Sequence, residues 1–115
     1  MVAVSGDYIG KYVPSPVDAL LVGLRLSDIK GYVRLKYRLR EKSGVVVTKV
    51  NKGGIGERYG LRAGDVILRI NNEELLSKEE FQTLMVEGLR RNYVLYQIKR
   101  TDNVFFLPIK LDTLL

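Results

Sequence analysis

The sequence predicts an α+β fold: a five- to six-stranded, mostly antiparallel and partly open barrel capped by two helices. Three observations carry this. Val45–Val50 is β-branched at five of its six positions, and Val66–Ile70 is a second short apolar run that stops at the turn pair Asn71-Asn72. Ser77–Leu89 has the apolar spacing and the acidic first turn of a helix. Tyr93–Lys99 and Val104–Leu111 flank a Thr101-Asp102-Asn103 turn, the pattern of a hairpin.

Taken in order, residues 1–19 read as a lead-in segment or linker. Gly6, Gly10, Pro14 and Pro16 punctuate them, with room for one short strand near Tyr8. Residues 20–115 read as the domain. Leu20–Ser27 alternates apolar and polar in its second half, as a half-buried strand does, and Gly23 marks a bend or a close backbone approach. Lys30–Lys42 supports two readings. Val33, Leu35, Tyr37 and Leu39 alternate with Arg34, Lys36, Arg38 and Arg40, a strand period; Tyr32, Leu35 and Leu39, flanked by Val33 and Tyr37, also form a helical stripe.

Ser43-Gly44 is a turn before the Val45–Val50 strand, and Asn51–Gly56, with three glycines, is a loop. Ile55–Tyr59 suits one helical turn closed by Gly60, and Leu61–Gly64 a second turn. Ser77 stands where a helix cap belongs, with Glu80 at capping-box spacing. Phe81, Leu84, Met85 and Leu89 form that helix's stripe, and Arg90 and Arg91 sit at its C-terminal end. Pro108 lacks an N–H, so the last strand is expected at an edge or irregular there.

Composition narrows the function. The chain of 115 residues is 46% apolar, enough for one packed core. It has no histidine and no cysteine, which removes Cys/His zinc sites, disulfides, thiol chemistry and any Ser-His-Asp triad. No apolar run approaches the length of a membrane-spanning helix. Met1–Lys11 lacks the basic and apolar regions of a signal peptide, which leaves a cytoplasmic protein or a piece of a longer exported one. The net charge of +6 favours anionic partners weakly. The basic run from Arg34 to Lys42 reads as a solvated face, and no aromatic-rich RNA signature accompanies it. Ser77-Lys78 is set aside as a catalytic dyad, because adjacent helical residues point apart.

The stretch Gly60-Leu61-Arg62-Ala63-Gly64-Asp65-Val66-Ile67-Leu68-Arg69-Ile70-Asn71 closely resembles the signature of PDZ domains, above all those of bacterial HtrA/Deg-type serine proteases. Gly60 ends a short helix, Gly64 makes a turn, Asp65 can accept loop N–H groups, and Val66, Ile67 and Ile70 fill a core. Three further matches keep the family's order: Val45–Val50 as its β-branched strand, Val22-Gly23-Leu24 as its carboxylate-binding loop, and Ser77–Leu89 as the helix walling its groove. Here Leu20-Leu21 precedes that loop, where many relatives carry an aromatic residue. The resemblance spans roughly Leu20–Leu111 and selects the helical reading of Lys30–Leu39.

It implies a non-catalytic, PDZ-like module that takes peptide or protein C-terminal tails, and unfolded-protein substrates, by β-strand addition. The N–H groups of Val22, Gly23 and Leu24 would meet the tail's carboxylate, and the strand edge at Leu24, Arg25 and Leu26 would pair with its backbone. Leu24, Leu26, Phe81 and Met85 would line an apolar pocket, with Gln82 on the helix wall and Arg25 or Lys78 adding attraction. Phe81 and Met85 read equally well as core. No cofactor or metal is implied, and the location implied is the cell envelope or periplasm. Two other functions remain: a scaffold PDZ domain in a secretion-system or membrane-protease assembly, since Glu79–Asn103 also looks like type II secretion protein C, and, ranked lower, a basic nucleic-acid-binding domain.

Overall fold

The computed structural model describes residues 23–110. The lead-in at 1–19, its expected strand near Tyr8, and Leu20, Leu21 and Val22 lie outside the described residues. Six strands form one antiparallel sheet: β1 (Leu24–Asp28), β2 (Val45–Val50), β3 (Val66–Ile70), β4 (Glu73–Glu74), β5 (Tyr93–Arg100) and β6 (Asn103–Lys110). Three helices accompany it: α1 (Gly31–Lys36), α2 (Ile55–Arg58) and α3 (Lys78–Arg91). The order is β1-β2-β3-β5-β6, with β4 paired to β3, and the sheet does not close. The first half of β3 pairs with β2 and its second half with β4, both antiparallel.

The run of valines in β2 is explained by burial on both faces. Val45 and Val47 face the main core with Ile67, Ile70, Phe81, Met85, Tyr96 and Ile98, beneath α3. Val46 faces a smaller cluster with Ile29 and Val66, covered by Val33, Tyr37 and Leu39 from α1 and the segment after it. A strand covered on both sides needs apolar residues at successive positions, so the alternation of a half-buried strand is absent.

The basic segment is helical, but for only six residues. It ends in a Schellman motif: the N–H of Leu39 donates to the Arg34 carbonyl at 2.9 Å, and that of Arg38 to the Leu35 carbonyl at 3.3 Å. Arg38 holds the left-handed position, φ 55°, that glycine ordinarily takes. The inward stripe is narrower than expected. Val33, Tyr37 and Leu39 pack inward, whereas Tyr32 and Leu35 are 72% and 79% exposed. A two-turn helix over a small cluster presents one narrow face, and Tyr32 and Leu35 lie off it. Arg34 is no part of a solvated face. Its guanidinium donates to the Ile29 and Glu41 carbonyls, each at 2.9 Å, and ties both ends of the segment together.

Asn71 and Asn72 both have positive φ, 51° and 69°, the turn that reverses β3 into the two-residue β4. The sequence reading passed over β4, since two exposed glutamates carry no strand pattern. Asn71 also clamps β5: its Oδ1 accepts from Leu95 N at 2.7 Å and its Nδ2 donates to Tyr93 O at 3.2 Å. Pro108 lies opposite Leu95 on β6, an edge strand where a missing N–H does no harm.

Candidate functional site

One cleft, of about 610 Å³, opens between β1 and the start of α3. Its sheet side consists of Leu24, Arg25, Leu26 and Thr48, and its helix side of Lys78, Glu79, Phe81 and Gln82. Among the described residues β1 pairs only with β2, so its other edge faces this cleft.

Three local features shape the β1 wall. Gly23 forms a turn just before the strand, and its carbonyl accepts from Asn51 N at 2.8 Å. The glycine loop that follows β2 lies against this turn. A Cβ on Gly54 would meet Gly23 Cα at 2.9 Å, and one on Gly56 would meet Leu24 Cδ2 at 2.4 Å. The β1–β2 register shifts between Arg25 and Leu26, which leaves Thr48 as the extra residue of a bulge. The Thr48 hydroxyl donates to the Arg25 carbonyl at 3.3 Å.

The helix wall is fastened to that strand. The N–H of Lys78, at the start of α3, donates to Asp28 Oδ1 at 2.6 Å. The cap therefore comes from the end of β1, fifty residues back in the chain, and not from the Ser77 side chain. Glu80 does reach backwards, but to Leu76 N at 2.9 Å, one residue beyond the capping-box partner. Asp28 thus bridges the two walls at one end of the cleft.

Of the residues read from the sequence, Leu24, Arg25, Leu26, Lys78, Phe81 and Gln82 line the cleft. Gly23 stands at the turn leading into β1, and Val22 lies outside the described residues. Met85 is placed elsewhere: it is fully buried in the core, where its Sδ accepts from the Tyr96 hydroxyl at 3.3 Å. It sits one helical turn beyond Phe81 on the same stripe, within the same buried cluster. Burial pushes the Tyr96 phenol up. Phe81 is 1% exposed, so it is the floor of the cleft and part of the core at once. Thr48, Glu79 and the Asp28 cap were missed. A bulge inside a β-branched run and a cap from a distant strand leave no local signature. Electrostatically the cleft is mild, with Arg25 and Lys78 against Glu79.

Comparison with known proteins identifies this arrangement. Residues 46–92 match the family model described as PDZ domain. DegS, a serine endoprotease of Haemophilus influenzae, is 28% identical over 86 residues, covering 73% of this chain and 25% of its own length. A DegP-like periplasmic serine endoprotease of Chlamydia trachomatis is 30% identical over 128 aligned positions, covering 95% of this chain and 25% of its own length. The chain spans about a quarter of the length of these curated relatives. Among solved structures, the HtrA3 PDZ domain bound to a phage-derived ligand superposes with a TM-score of 0.62 at 24% identity, over 76% of this chain and 80% of that one. The PDZ domain of EpsC from Vibrio cholerae superposes with a TM-score of 0.53 at 20% identity, over 76% of each chain. These likenesses establish the fold. The chain carries a PDZ domain, related to those of the HtrA/Deg-type serine proteases.

Proposed function

We propose that the cleft between β1 and α3 captures an extended peptide tail as an additional antiparallel strand, with the tail's carboxylate at the Gly23 turn. The outer edge of β1, unpaired among the described residues and set beside an apolar-floored cleft, is the observation that carries this reading. An edge strand offers unpaired N–H and C=O groups that a peptide can satisfy. Leu24, Leu26 and Phe81 suit an apolar last side chain, and Arg25 and Lys78 suit an acidic side chain farther back. Solved relatives agree in kind: the HtrA3 domain was determined with the ligand FGRWV, and the HtrA-type protease AlgW with a decapeptide.

A few backbone hydrogen bonds at about 0.5–1.5 kcal/mol each, and one buried apolar side chain at about 1.5–3 kcal/mol, are offset in part by ordering the tail. A Kd on the order of micromolar follows. In this reading the module serves an HtrA/Deg-type serine protease of the cell envelope, where it holds unfolded or tail-exposing substrates and contributes no catalytic group. Relatives named as periplasmic endoproteases support the compartment.

The test is fluorescence anisotropy with free-carboxylate peptides and their amidated counterparts. Amidation weakens binding at least about tenfold, the loss of one charge-assisted contact set. Gly23→Val abolishes binding. Gly54→Ala, outside the cleft lining, weakens it by pushing on Gly23 Cα. Equal binding of amidated tails would remove the carboxylate role of the turn. A protease domain in the same reading frame supports the assignment to a protease, and a frame without one counts against it.

A further inference from the structure

A second cleft, of about 640 Å³, lies where the segment after α1, the turn before β3 and the β5–β6 turn meet. It shares no lining residue with the first. Six cationic side chains and three carboxylates line it. Two of the carboxylates are already matched. Asp65, 1% exposed, accepts from Arg100 Nε and Nη2, each at 2.8 Å, and from Arg62 N at 2.8 Å. Glu41 is ion-paired with Lys99. Burial raises the Glu41 carboxyl, but the Lys99 ammonium and the backbone N–H groups of Glu41 and Arg40 together outweigh it and leave the group below its ordinary value. Lys36 sits over the Tyr32 and Tyr37 rings. Arg38, Arg40 and Arg62 remain, all exposed, and among the described residues none has a carboxylate within ion-pair distance. Only Asp102 balances them.

Arg38 makes the arrangement more than a chance of composition. It occupies the left-handed position of the α1 Schellman motif, a conformation that strains an L-residue and that glycine adopts freely. Its side chain is part of the lining of this basic cleft.

We propose that this second cleft binds an acidic peptide segment, whose carboxylates are held by the guanidinium groups of Arg38, Arg40 and Arg62. Arginine forks match carboxylates in two-point geometry. Nucleic acid fits less well. The only lining aromatic, Tyr37, packs against Gly64 and donates its hydroxyl to Thr48 O at 3.3 Å, so no stacking platform for bases is free among the lining residues.

The test uses the full chain and a fluorescein-labelled, C-terminally amidated peptide of alternating glutamate and serine, read by anisotropy. Amidation keeps it off the proposed carboxylate turn, so this result stands apart from that of the first cleft. The expected result is binding that weakens steeply with salt, is absent for the glutamine-for-glutamate peptide, and drops about tenfold with Arg62→Gln or Arg38→Gly. Arg38→Gly keeps the left-handed turn and so the fold. Binding of an apolar free-carboxylate tail is unchanged in both variants. Unaltered glutamate-peptide affinity in these variants overturns the proposal. So does a thymidine oligonucleotide or a phosphatidylglycerol vesicle that binds more tightly than the peptide in an Arg38-dependent way, because either assigns the cleft to phosphates.

Discussion

The cleft beside α3 is cut into the core, whereas the cleft at the β5–β6 turn is laid over it. Phe81 floors the first and is itself core, and Leu24 is buried at its edge. The second is walled by exposed arginines on loops, anchored at its base by the buried Asp65–Arg100 pair. The difference teaches where each site can change. Leu24 and Phe81 of the first cannot be altered without touching stability, while the exposed arginines of the second can be changed with little effect on the core. A site built from core must be apolar and shape-selective. A site built from rim must be electrostatic and salt-sensitive.

The largest expected effect breaks the first cleft. Phe81→Ala costs about 3–5 kcal/mol in urea unfolding and eliminates tail binding; a loss below about 1 kcal/mol would show that Phe81 is wall and not core. Next comes the base of the second cleft. Asp65→Asn removes a buried acceptor of both Arg100 and Arg62 N and costs about 2–3 kcal/mol. That is less than for a fully buried pair, because the Arg100 side chain is 28% exposed.

Asp28→Ala uncaps α3 and is expected to cost about 1 kcal/mol by thermal or urea unfolding. It also loosens the tail site while leaving the glutamate peptide unaffected. Glu41→Gln sharpens the contrast through pH. The folded Glu41 carboxyl lies below its ordinary value of 4.5, so the unfolded chain binds the extra proton first. Its contribution is therefore present above about pH 4.5 and is lost as acid takes the carboxyl through its lower folded value. Parent and variant should differ by under about 1 kcal/mol at neutral pH and converge in acid. Released Lys99 should tighten glutamate-peptide binding at the same time. The smallest effect is that of Arg38→Gly on folding: relief of the left-handed residue nearly cancels the entropy of glycine, for a net change within about 0.5 kcal/mol.

Local chemistry made much of this legible in advance. β2, β3, the turn at Asn71-Asn72 and α3 follow from β-branching, turn residues and a 3.6-residue stripe. Six cleft-lining residues followed from the family's order of motifs. Lys30–Lys42 was harder, because its apolar and basic residues fit both periods. Its Val33–Tyr37 face became identifiable only once the small cluster beneath it was present. Met85, read equally as groove or core, is buried in the core, because a stripe says which side of a helix is apolar and not how far along the helix a groove extends.

The sequence alone determined β2, β3, the β5–β6 hairpin, α3 and the turn chemistry, since each depends on neighbours within a few positions. Tertiary structure decided the rest. It set the Asp28 cap on α3, the Thr48 bulge, the bracing role of Arg34, and the meeting of Arg38, Arg40 and Arg62 in one cleft. The physical reason is that these depend on strand register and on hydrogen bonds or charges between segments far apart in the chain, and no local period records who will stand opposite whom.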